Sequence, residues 1–233
     1  MEYLTIPARF NGPPESGNGG YSSGAVAAYI DGVARVRLHA PPPLDVPLSV
    51  YRLDAGAVEV RDGERLIASG GPAHLDIELP PAPTLSDARR GRERFPYRED
   101  HYFPTCFVCG NGRPAGDGLE IFTGPVDGWE LVASTWRPAP DLLDEAGNVR
   151  SEFIWAALDC PGCFGALGDS RTPVLLGEQV LRQFAAVPGD RDLVIYAWPL
   201  GGEGRKHYGG AAIANQEGEA LACSRTTWIT VNL

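Results

Sequence analysis

No apolar run in this 233-residue chain reaches the roughly 18 residues that a membrane helix needs, so no membrane span is expected. Nor does Met1-Glu2-Tyr3-Leu4-Thr5 place a basic stretch before an apolar one, and no export signal is read there. Basic residues are outnumbered. The 20 Lys and Arg stand against 30 Asp and Glu, for a net charge of −10. A general nucleic-acid binder would show the opposite balance, although a local basic pocket for a phosphorylated ligand stays compatible with it. Five cysteines, an odd number without an export signal, fit a reducing compartment, and a cytoplasmic location is expected.

What the chain has in quantity is turn formers, 29 Gly and 21 Pro, beside 43% hydrophobic and 21% charged residues. That is the composition of a globular protein rich in sheet. An edge strand is read at 3–10 and a helix at 19–30, with Asn18 as its N-cap. Strands follow at 33–39, at 48–60 as a long strand or a hairpin bent near Gly56, and at 65–79, where the last seven residues alternate apolar and polar. Residues 80–104 open on Pro80-Pro81-Ala82-Pro83 and carry a charged run at 87–94; they read as a solvated linker, with anion binding by Arg89, Arg90 and Arg92 as the alternative. Beyond it, strands are expected at 119–123 and 130–137, a loop at 141–150, a helix from Ser151, and strands at 174–187, 193–200, 207–215 and 220–231.

The two halves echo each other. Gly63-Glu64-Arg65-Leu66-Ile67-Ala68-Ser69 lines up with Gly218-Glu219-Ala220-Leu221-Ala222-Cys223-Ser224, the glycines lying 155 residues apart. Asp45 to Tyr51 similarly resembles Asp190 to Tyr196. In each half an apolar helix precedes the strands. The expected organisation is therefore α+β, two copies of one helix-on-sheet unit at 1–80 and 105–233, joined by a linker at 81–104. Pairing the two sheets edge to edge would dispose of exposed strand edges.

The stretch from Ser151 to Gly162 reads as a buried helix containing one carboxylate, Asp159. Acidic residues are almost never fully buried unless paired. Asp159 is thus either a solvated helix-end residue or aimed at a site. Pro161 predicts a break immediately after it, exposing the carboxylate further.

These motifs resemble a known family. Asn18-Gly19-Gly20-Tyr21 is similar to the His-Gly-Gly start of the hotdog helix in phenylacetate-pathway-type thioesterases. Ala157-Leu158-Asp159 is similar to the Leu-Ala-Asp segment that carries their catalytic acid, and Cys106-Phe107-Val108-Cys109-Gly110 before Gly118-Leu119 resembles the lead-in to the first strand of several hotdog proteins. The duplication resembles acyl-CoA thioesterase II, whose functional aspartate also lies in its second half. The resemblance implies a tandem hotdog, each half a central helix wrapped by an antiparallel sheet, hydrolysing acyl-CoA or acyl-carrier thioesters between the halves, with no cofactor beyond the coenzyme A of its substrate. A homodimer of such double hotdogs is compatible with it, and a non-catalytic acyl-binding protein is the alternative. Dehydratases share the fold but need a histidine in the site, and none of His39, His74, His101 and His207 lies on either central helix.

The departures are informative. In the family the acid sits eight residues after the glycine that starts the helix. Counting from Gly19 reaches Ala27, and counting back from Asp159 reaches Ser151, so each half keeps one part of the site. Eight helical residues span roughly 12 Å, too far for one helix to present both groups to one carbonyl. Two antiparallel helices can do so, with amides from Gly19 and Gly20 and the acid from Asp159. Asn18 and Tyr21 flank those amides as substrate contacts. Acyl-CoA thioesterase II also uses a Gln on its last strand, where this chain has Thr226. Gln179, beside Glu178, lines the cavity or a polar strand face; Arg205 and Lys206 hold coenzyme A phosphates or sit in a solvated loop. Finally, Cys106-x-x-Cys109 and Cys160-x-x-Cys163 have the form of a zinc site, but 51 residues separate Cys109 from Cys160. Paired knuckles usually stand about 15–20 apart, so no metal is expected.

Overall fold

Eleven antiparallel strands form one sheet in the computed structural model, which describes residues 2–168 and 170–231. In chain order the elements are β1 (Glu2–Leu4), α1 (Gly19–Ala27), β2 (Ala34–Leu38), β3 (Leu48–Arg52), β4 (Val58–Asp62), β5 (Arg65–Pro72), α2 (Leu85–Glu93), β6 (Gly124–Pro125), β7 (Val132–Trp136), α3 (Ser151–Ala157), α4 (Asp159–Leu167), β8 (Val174–Gln183), β9 (Leu193–Glu203), β10 (Lys206–Ala214) and β11 (Ala220–Thr230). The strand order is β1-β3-β4-β5-β2-β8-β11-β10-β9-β7-β6. Outward from the β2–β8 junction the two halves repeat one order over four strands, β2-β5-β4-β3 and β8-β11-β10-β9, with β1 beyond on one side and β7 and β6 on the other. The junction itself pairs Ala34 with Leu181 and Val36 with Gln179. Gly63 and Gly218, equated above, occupy equivalent hairpin turns between the third and fourth strands. Both have positive φ, 55° and 84°, where glycine carries no Cβ penalty.

α1, α3 and α4 lie on one face of this sheet, and α2 packs on the other through Ala88. Alternation along the strands sends one set of side chains to the first face, including Val36, Leu193, Ile195 and Ala222. The other set, including Val194, Tyr196, Ala212 and Cys223, goes to the opposite face. Residues 73–79 are not a strand. They lie extended across that opposite face, where Leu75 is buried and the Tyr196 hydroxyl donates to the Pro80 carbonyl at 3.2 Å. The charged run expected in a solvated linker is α2, started by a Thr84–Asp87 capping box and packed through buried Ala88 and Gly91. Its arginines are engaged within the protein. Arg89 pairs with Asp192, Arg90 with Asp87 and Arg92 with Glu120.

α1 and α3 run antiparallel in close contact. A Cβ on Gly20 would stand 2.5 Å from Asp159 Cβ and 2.9 Å from Ala156 Cα, and one on Gly24 would stand 2.7 Å from Glu152 Cα. These glycines, one turn apart, let the backbones approach. The helix break falls before Asp159, at Leu158 (φ −101°, ψ 1°), and not after it. Pro161 has no N–H to give Ala157, so a new helix begins at Asp159 and places the proline in its first turn, where a missing N–H costs nothing.

Candidate active site

That break turns Asp159 inward. The side chain is 2% exposed, contrary to the expectation of an exposed helix end. It stands at the first residue of α4, and its carboxylate reaches across to the start of α1. Oδ2 accepts from the Gly20 amide at 3.0 Å and from Asn18 Nδ2 at 2.7 Å. Asn18 caps its own helix at the same time, its Oδ1 accepting from the Tyr21 amide at 2.9 Å. The second carboxylate oxygen, Oδ1, is buried and has no hydrogen-bond partner within the protein. Burial pushes the Asp159 carboxyl up to about 7; the Gly20 and Asn18 donors oppose this and the nearby Cys106 adds to it.

Asp159, Asn18 and Gly19 line a largely apolar cavity of about 270 Å³ that runs along β8 and β11, with Leu176 and Trp228 in its wall. As a first-turn residue of α1, Gly19 has an amide without an intrahelical partner. Gly20 does not reach the wall, because its amide is turned to Asp159 and its Cα is pressed on α3.

The remaining expected site residues stand elsewhere. Tyr21 is a core residue, stacked on Phe10 at 4.1 Å between centroids. Gln179 and Thr226 face each other on β8 and β11 and are fully buried behind the helices. Gln179 Nε2 donates to the Trp155 carbonyl at 3.1 Å, and Thr226 Oγ1 donates to the Gly209 carbonyl at 3.1 Å while accepting from Trp228 Nε1. None of these three lines the cavity. Arg205 and Lys206 are exposed in the β9–β10 turn. Lys206 pairs across the sheet with Ile229, which does line the cavity.

Sequence reasoning missed part of the wall. Tyr97, His101, Phe103, Cys106 and Cys109 close the cavity from the segment that follows α2. The signal was available, since Phe95, Tyr97, Tyr102 and Phe103 are out of character for a solvated linker.

No protein-family model matches the sequence, and no curated protein matches it. Among solved structures, a tesB protein of Mycobacterium avium subs paratuberculosis superposes with a TM-score of 0.62 at 14% identity, over 98% of this chain and 91% of that one. An acyl-CoA thioesterase II, TesB2, from Mycobacterium marinum gives 0.59 at 14% identity, over 100% and 96%. A hot dog fold protein of unknown function from Alicyclobacillus acidocaldarius gives 0.60 at 12%, over 99% and 93%. The chain therefore has the hotdog fold, in its double form.

Proposed function

We propose that this chain hydrolyses acyl thioesters, carried by coenzyme A or by a carrier protein, at the junction of its two halves. One observation carries the reading. A carboxylate from the second half is fixed by two donors of the first half, and its other oxygen is left without a protein partner beside an apolar cavity. The names of the similar structures support the same chemistry.

Water bound at Asp159 attacks the thioester carbonyl carbon and gives its proton to the carboxylate. The developing oxyanion is met by the Gly19 amide at the positive end of α1. Collapse of the intermediate breaks the C–S bond, and the proton passes from Asp159 to the leaving thiolate. The products are a carboxylic acid and a free thiol. The acyl chain lies in the apolar cavity, and Arg205 and Lys206 meet the coenzyme phosphates outside it.

The test is a panel of acyl-CoAs with thiol detection, run on the native protein and on Asp159→Asn. Thiol release that falls by a factor of about 10² or more in the variant is expected, the usual scale for a general base. The Gly20 amide, already engaged by Asp159, favours acyl binding without turnover as the second reading. Saturable binding with no thiol release would establish that one instead.

A further inference from the structure

The first Cys-x-x-Cys pair and the first cysteine of the second end at the same place, although nothing in the chemistry above uses them. The sulfur atoms of Cys106, Cys109 and Cys160 all lie within 4.8 Å of one another, and all three residues are buried. We propose that Cys106, Cys109 and Cys160 bind a zinc ion, with Cys163, whose sulfur stands outside that cluster, turning in as the fourth ligand, and that this ion ties the 106–110 turn to the start of α4.

The geometry is that of a metal knuckle. Zinc–thiolate bonds of about 2.3 Å in a tetrahedron place the sulfurs about 3.8 Å apart. Cys106 Sγ and Cys160 Sγ are 3.7 Å apart, a tetrahedral edge, and far beyond the roughly 2.05 Å of a disulfide. Gly110 N–H donates to the Cys106 carbonyl at 2.8 Å, closing the turn around the first pair. A Cβ at Gly110 would come within 2.6 Å of the Pro104 carbonyl, so the turn requires glycine there. Asn18 Nδ2 donates to the Cys106 sulfur at 3.8 Å.

The second pair comes from the start of a helix. Cys160 is the second residue of α4. Cys163 lies three residues on, on the same helix face, and lines the same cavity. The ligand set is all sulfur, which selects zinc over harder divalent ions. The 51-residue separation that argued against a metal in the sequence no longer does, because the fold brings Cys160 to the first pair.

The experiment reads metal and not activity, so its outcome is independent of thioester hydrolysis. Protein purified without chelators is analysed for metal. Metal-stripped, fully reduced protein is then titrated with Co²⁺. About one equivalent of zinc per chain is expected, together with a saturating sulfur-to-cobalt charge-transfer band. Cys106→Ser and Cys160→Ser should abolish both. Cys163→Ser should weaken Co²⁺ binding and reduce the band. Cys223→Ser, on the opposite face of the sheet, should change neither. If native protein lacks zinc and the reduced protein gives no cobalt band, the site is refuted whether or not the variants fold. A Cys106–Cys160 disulfide in the protein as isolated refutes it equally, and a Cys163→Ser spectrum identical to the native one removes the fourth ligand.

Discussion

At the residue scale, Asp159 poses an energetic problem that its neighbours solve only in part. Its carboxylate is buried, one oxygen takes two hydrogen bonds, and the other takes none. Breaking a buried ion pair costs about 3–5 kcal/mol, but Asp159 has no cationic partner among its hydrogen bonds, so Asp159→Asn breaks none. The amide keeps an oxygen for Gly20 and Asn18 and removes the desolvated charge. Its melting temperature is therefore expected to match or exceed that of the native protein while hydrolysis collapses. A large loss of stability, followed by circular dichroism, would mean that the carboxylate is there for the fold. Gly20 shows the opposite balance. A Cβ there meets Asp159 Cβ and the Trp155 and Ala156 backbone, whereas at Gly19 its three nearest neighbours are side-chain atoms of Leu176, with Cβ at 2.9 Å. Gly20→Ala should cost about 1–3 kcal/mol in urea unfolding, the range for overpacking, and Gly19→Ala clearly less.

At the element scale, the strands were legible because successive side chains go to two different faces, one under α1, α3 and α4 and the other under α2 and the 73–79 segment. The pattern over 193–200 and 207–215 became β9 and β10 within a few residues. The same alternation misled at 73–79, because an extended segment lying on a sheet buries every second side chain just as a strand within it does. Asp159 and the Asn18–Gly20 turn were legible as polar or small residues in apolar surroundings. The cysteine cluster was not, because sequence spacing does not measure distance between segments that the fold brings together. The β9–β10 turn is another element whose role sequence alone left open. Arg205 and Lys206 stand next in register to the cavity-lining end of β11. Replacing both with alanine should raise KM for an acyl-CoA several-fold, since exposed charges contribute up to about 1 kcal/mol each. It should leave kcat unchanged, and the effect should fade at high salt. An acyl-pantetheine substrate, which lacks the distal phosphates, should show no difference; an equal change with both substrates would place the phosphates elsewhere.

At the scale of the whole molecule, the near two-fold relation between the halves raises the question of a second site. Symmetry would place it where the start of α3 meets the end of α1. There the helix begins with Ser151 and Glu152 in place of a glycine pair, and Ala27 stands where the acid would be. The backbones are already in contact, since a Cβ on Gly24 would lie 2.7 Å from Glu152 Cα. Among the described residues the carboxylate at that end is Glu152, which pairs with Arg150, and the described cavity lies at the Asp159 end. The expected stoichiometry is therefore one non-hydrolysable acyl-CoA analogue per chain by calorimetry, and Ala27→Asp should leave both that number and the turnover rate unchanged. Two equivalents bound, or a gain in turnover from Ala27→Asp, would show that the second interface is a working site and that the asymmetry read from Ala27 and Ser151 is not functional.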